Sequence, residues 1–277
     1  MATATEGRMA LSDRLTRLIE VSAPLWAGEA EVVRTYWDSP VRNHESELLW
    51  LRRQCSKEFN GTGIGEYKNM GVFMGPITEL GEIFPKIDTG EGGVDRRYAL
   101  ELIEILHDEF DHYARFADIY DAIRGPGTPP MNPHELETWD EDAELTRTRH
   151  RHNAEHGALG VRASRFTEGG YCTLFREGMR LKGRGGTDDM IAEACTKVYE
   201  DEFGHMLEGI VGLDDEGWSE AQLDLLEALV LEQLRLRIPM RNAEFSFPLS
   251  GERVRAIYAG DIEPEVFDYG HAESVMA

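Results

Sequence analysis

The sequence is poor in cysteine and has neither an apolar leader nor a long apolar run; each shortage excludes a class of protein. Three cysteines among 277 residues, Cys55, Cys172 and Cys195, form no paired framework. The opening Met1 to Leu15 lacks the apolar core that a secretion signal requires, so a reducing, cytoplasmic location is expected. No stretch approaches the roughly 18 consecutive apolar residues of a spanning helix, and no membrane segment is expected. Basic residues are outnumbered, with 29 Lys and Arg against 52 Asp and Glu and a formal charge of −23. That balance argues against a nucleic-acid groove or an anionic membrane surface as the main partner. Strand-like alternation is nearly absent. The phosphate-cradling Gly-rich loop, the Gly-x-Ser-x-Gly elbow and Cys-x-x-Cys are absent too.

What the chain does contain is helical periodicity. With 41% hydrophobic residues it can bury a sizeable core. Apolar positions recur at helical spacing over about seven segments: 11–36, 42–58, 69–87, 95–123, 141–182, 187–211 and 219–238. Glycine and proline cluster between them, as at 125–130 and 183–186. Thr187-Asp188-Asp189 reads as a helix start, since threonine caps free amides and early aspartates complement the helix dipole. The leucine-rich stretch 219–238 reads as a bundle-covering or dimer-forming helix that closes before Pro239. The expected fold is all-α, a single helical domain over 1–240 with a functional core at about 69–211; the tail 241–277 carries no assignable role.

Two of these segments carry the same motif, Asp108-Glu109-Phe110-Asp111-His112 and Asp201-Glu202-Phe203-Gly204-His205. Glu and His three residues apart project from one helix face, so carboxylate and imidazole converge on one metal ion. The spacing alone is weak in a chain so rich in glutamate, and a third copy, Glu104 to His107, overlaps the first. The repeated Asp and Phe and the placement inside two long amphipathic helices make the pair informative. Asp108 and Asp201 are candidates to accept a hydrogen bond from a ligating imidazole and fix its tautomer.

A two-metal centre of this kind also needs one carboxylate from each of two further helices. Glu168 stands 34 residues before Glu202 (202 − 168), enough at about 1.5 Å per residue for a helix, a turn at 183–186 and a return to the same height. Glu79 stands 30 residues before Glu109 (109 − 79), with a Gly-rich turn at 90–93 between them. It flanks an apolar face of Phe73, Ile77, Leu80 and Phe84, whereas Glu82 points away from it. The expected ligand set is Glu79, Glu109, His112, Glu168, Glu202 and His205.

The order Glu79, Glu109-x-x-His112, Glu168, Glu202-x-x-His205 resembles the ferritin-like di-iron carboxylate proteins, in particular the oxygenase and ribonucleotide reductase small-subunit branch. The resemblance spans about residues 69–211. It implies a four-helix bundle with additional flanking helices, holding two iron ions, Fe/Fe or Mn/Fe, bridged by Glu109 and Glu202. Phe116 stands where the reductase keeps its radical tyrosine, and Val198 where arylamine N-oxygenases add a histidine. Cys172 stands where bacterial multicomponent monooxygenases have threonine.

Two adjacent glycines, Gly169 and Gly170, are unusual in a helix interior, where each costs about 1 kcal/mol relative to alanine. They read either as room for a substrate or helix bulge, or as close packing. Gly169, Cys172, Phe116 and Phe175 are pocket candidates, with Phe73, Met74, Phe110, Met179 and Phe203 as further apolar candidates, although residues of this kind are more often simply core. The expectation is a di-iron oxygenase, such as a monooxygenase, or an oxidase that turns dioxygen on a small organic substrate. Hydroxylation, N-oxygenation, desaturation and oxidative cleavage all remain open. An external reductase or ferredoxin would supply electrons, and a homodimer is one expected assembly. The alternative is a ferroxidase subunit of an iron store.

Overall fold

The computed structural model describes residues 12–90, 92–210 and 212–265, without the side chains of 88, 89, 169–171, 204–208, 214 and 215. Within these residues the chain is helical, with no strand. The helices are α1 (Asp13–Trp37), α2 (His44–Asn60), α3 (Met74–Thr89), α4 (Arg96–Ile123), α5 (Asp140–His156), α6 (Ala158–Phe166), α7 (Gly169–Met179), α8 (Thr187–Ile210), α9 (Glu220–Glu244) and α10 (Gly251–Tyr258). No helix among the described residues is long and apolar enough to cross a membrane. Polar side chains cap the starts: Asn43 and Ser219 form reciprocal boxes at α2 and α9, and Asp95 accepts from two amides of α4. α8 begins at Thr187 with Asp188 and Asp189 in its first turn, as the sequence suggests.

α2 packs along α4, α4 against α8 and α8 along α7, while α1 and α9 pack together and α5 and α6 lie on α9. The core is strongly aromatic. The Trp50 ring lies 5.1 Å from Trp37, 5.4 Å from Phe245 and 5.9 Å from Phe116, edge-on to Trp37 and Phe116 and stacked on Phe245. α9 buries Leu226, Leu229, Val230, Leu234 and Ile238 against its own chain, chiefly α1, α5 and α6, so that face is taken.

Three sequence expectations change. The stretch 141–182 is three helices. Gly157, at φ 55°, closes α5 in a conformation that glycine adopts without strain. A Cβ on Gly160 would stand 2.2 Å from the His152 carbonyl oxygen, so only glycine permits α6 to start that close. The second break, at Thr167–Glu168, puts Gly169 and Gly170 in the first turn of α7 rather than mid-helix.

The stretch 69–87 becomes a helix only from Met74, and α3 packs on α4 through a small satellite core of Leu80, Ala99 and Leu102. Ile77 and Phe84 remain half exposed. Finally, α9 does not stop before Pro239 but runs to Glu244. A proline has no N–H for the carbonyl four residues back, Arg235. The Tyr258 hydroxyl of α10 donates to that oxygen at 2.7 Å, which offsets the loss and gives part of the C-terminal segment a structural role.

A net of buried charges ties α1, α2, α5 and α9. Lys57 Nζ meets Asp142 Oδ1 at 2.6 Å, Arg237 Nε donates to Glu29 Oε2 at 2.9 Å, and Arg241 bridges Glu29 and Glu244. Burial raises the Glu244 carboxyl above its ordinary value, against the pull of Arg241 and Lys57. Three acids face three bases, so removing one partner strands a charge. Asp142→Ala should lower unfolding stability by about 3–5 kcal/mol in urea titrations. The double variant Lys57→Met/Asp142→Leu should recover most of that loss; a double variant no more stable than Asp142→Ala would disprove this account.

Candidate metal centre

Glu58, Glu109, Glu168 and Glu202 border one cavity of about 240 Å³, together with Lys57, Arg149, Met70 and Val72. Each comes from a different helix: Glu58 from the last turn of α2, Glu109 from the middle of α4, Glu168 from the cap of α7 and Glu202 from α8. Glu58, Glu109 and His112 present ligand atoms that all lie within 4.8 Å of one another. His112 is fully buried, its Nδ1 standing 3.7 Å from Glu202 Oε1 and 3.9 Å from Glu58 Oε2.

The local chemistry fixes how that ring is used. His112 Nε2 lies 3.0 Å from Asp201 Oδ2. Burial works against ionisation of Asp201, but hydrogen bonds from Lys197 and His112 more than offset it, and the carboxyl titrates below its ordinary value. An ionised Asp201 accepts from Nε2–H and fixes the ring so that Nδ1 faces Glu58 and Glu202. Among the described residues Nδ1 has no hydrogen-bond partner. A buried polar atom without a partner is unfavourable, and a divalent cation fits a donor set of carboxylate oxygens and one imidazole nitrogen.

The Glu58 carboxyl is pushed well above its ordinary value, first by burial and then by the charges of Glu202 and Glu109. Gln54 Nε2 donates to it and Lys57 lies beside it in sequence, which offsets part of the repulsion. Glu168 is positioned by its neighbour Thr167. That hydroxyl accepts from Arg149 Nη2 at 2.9 Å, and Arg149 Nε donates to Gln233 Oε1 at 3.3 Å. Gln233 Nε2 in turn lies 3.1 Å from His152 Nδ1. This polar chain from α5 to α9 holds the break between α6 and α7, so Glu168 meets the cavity from a helix start.

Of the residues expected from sequence, Glu109, His112, Glu168 and Glu202 are brought together. The His205 side chain lies outside the described residues. Glu79 is not brought to the cavity: it is exposed on α3 and accepts from the Tyr98 hydroxyl. Tyr98 precedes Glu109 by 11 residues (109 − 98), about 16 Å along α4. Glu58 occupies the place expected for it. The signal was present, since Glu58 continues the buried stripe Trp50, Leu51, Gln54, Cys55 of α2, whereas Glu79 only flanks an apolar face.

Asp201 serves a histidine, that of the other motif, while Asp108 lies 2.9 Å from the exposed His107. Phe116, Cys172 and Phe175 are fully buried in the hydrophobic core and do not line the cavity. Cys172 is nonetheless near it: burial, then the charges of Glu202 and Glu168, raise its thiol well above the ordinary value. Gly169 opens α7, and its surroundings lie outside the described residues. Met179 and Phe203 pack with the core, whereas Phe73, Met74 and Phe110 line a separate hollow.

Against known protein families, curated proteins and solved structures, the chain matches none.

The raised Glu58 carboxyl has a stability sign. A group that binds its proton more tightly folded than unfolded stabilises the fold below its unfolded value, about 4.3 for Glu, and loses that contribution as pH rises through the folded value. In metal-free protein, Glu58→Gln should therefore raise the melting midpoint at neutral pH by several degrees, and the gain should shrink as pH falls towards that of a free carboxylic acid. A pH-independent difference between the Glu58→Gln variant and the wild-type protein would refute the repulsion account.

Proposed function

We propose that this chain is a non-haem di-iron oxygenase or oxidase of the ferritin-like kind. The observation that carries the reading is His112 Nδ1, buried without a hydrogen-bond partner among the described residues and within ligand distance of Glu58 and Glu109, which border a cavity with Glu168 and Glu202. Glu58, Glu109, His112, Glu168 and Glu202 would hold two iron ions, with His205 as the second imidazole by analogy between the two motifs. When bound, such ions would supply electrons and open positions for dioxygen, which would be turned on a small organic substrate.

The protein's own groups do the rest. Asp201 keeps the His112 proton on Nε2, and Lys197 keeps Asp201 ionised. Lys57 and Arg149 bring positive charge to the cavity wall, which limits the repulsion among the carboxylates. Met70 and Val72 add an apolar side to the cavity wall. Electrons would come from an external reductase or ferredoxin.

Anaerobic titration with ferrous iron should approach two ions per chain. Glu58→Ala and His112→Ala should each lower that stoichiometry and abolish dioxygen consumption. Glu79→Ala and His107→Ala, at exposed residues that do not line the cavity, should change neither. Loading that depends on Glu79 and not on Glu58 would overturn the ligand set. The ferroxidase alternative predicts a many-subunit cage on a sizing column and iron turnover without an organic substrate.

A further inference from the structure

The segment between α2 and α3 has two faces. Met70 and Val72 line the carboxylate cavity, while Gly71, Phe73 and Met74 line a second hollow of about 350 Å³. The two helices behind it show the same division, with Glu58 and Glu109 on the cavity and the next residues, Phe59 and Phe110, on the hollow. The hollow is a groove of aromatic and aliphatic surface. Phe73 stands 5.2 Å from Phe59 and 6.4 Å from Phe110, centroid to centroid, and Ile77 completes a wall.

Phe110 is 53% exposed, Ile77 51% and Met74 40%. A cluster of large apolar side chains left in water marks a binding surface more often than a structural one. Its volume lies within the range of small-molecule sites. One charged residue lines it, and that residue is a cation, Lys68, in a protein whose net charge is −23. An apolar trough with a single ammonium group at its edge is complementary to one chemical class.

We infer that this groove binds a medium-chain alkyl carboxylate, with the hydrocarbon against Phe59, Phe73, Ile77 and Phe110 and the carboxylate at Lys68. The binding stands without the neighbouring metal. That the bound chain is the molecule oxidised rests on the di-iron reading, since successive residues, Glu58 and Phe59, and Glu109 and Phe110, line the cavity and the groove in turn.

Calorimetric titration of the full chain, metal-free and again after anaerobic loading with ferrous iron, tests this with decanoate, octanoate, decan-1-ol and decyltrimethylammonium. Decanoate should bind tightest and the ammonium amphiphile weakest. Octanoate should bind on the order of tenfold more weakly than decanoate, from about 0.8 kcal/mol for each of two lost methylenes. Lys68→Met should erase the preference for decanoate over decan-1-ol, and Phe110→Ser or Ile77→Ser should weaken both. These side chains are exposed, so the variants should melt as the parent does.

Decanoate binding no tighter than decan-1-ol, or unchanged by both Phe110→Ser and Ile77→Ser, overturns the proposal. So does a parent dimer that Phe110→Ser converts to monomer while decanoate fails to bind, which would assign the groove to a second copy. Decanoate binding without iron uptake leaves the groove standing and removes the metal reading; iron uptake without decanoate binding does the reverse.

Discussion

Four carboxylates bordering one cavity inside a helical protein set the terms for everything around them. Like charges in a partly dry space repel more strongly than in water, and each group also loses hydration. Glu58 records that tension in its raised carboxyl. The surrounding residues answer it in two ways: Lys57 and Arg149 stand at the wall, and Gln54 donates to Glu58. A buried group of Glu58, Glu109 and His112 is one that could hold a metal ion.

That constraint reaches into the fold. Lys57 faces the cavity and also closes the ion pair with Asp142, so the charge that tempers the acids belongs to the net through α5 and α9. Arg149 likewise links the cavity to Thr167 and Gln233. The polar residues inside α9 are therefore the outer support of groups that reach the cavity. Replacing them with apolar side chains of the same volume would favour the packed state and unseat Glu168.

Much of the site could be read from the sequence because a helix turns local spacing into geometry. Glu109 and His112 share a face for that reason, and Glu168 was found by matching its height to Glu202. The same height argument misled at Glu79. It assumed that Glu79 reaches the level of Glu109, yet only the start of α3, at Met74 and Ile77, meets Phe110, while Leu80 packs on Ala99 and Leu102 and Glu79 meets Tyr98. Spacing along a chain does not say how far along a long helix its partner docks. Glu58 was legible by another rule, an acid on an otherwise buried stripe, but that rule needs the burial that only tertiary contacts decide. The breaks at Gly157 and Thr167 were hidden because the apolar period carries on through them.

The repair of α9 at Pro239 joins events far apart in the chain. The carbonyl that the proline leaves open on Arg235 is satisfied by a tyrosine 23 residues later (258 − 235), beyond a loop and on another helix. Until α10 docks, the helix carrying Arg237, Arg241 and Glu244 has a weak point one turn from its charges. The order of assembly follows. The final turns of α9 should gain slow amide exchange only together with α10, so the last described helix acts as a latch on the polar interior.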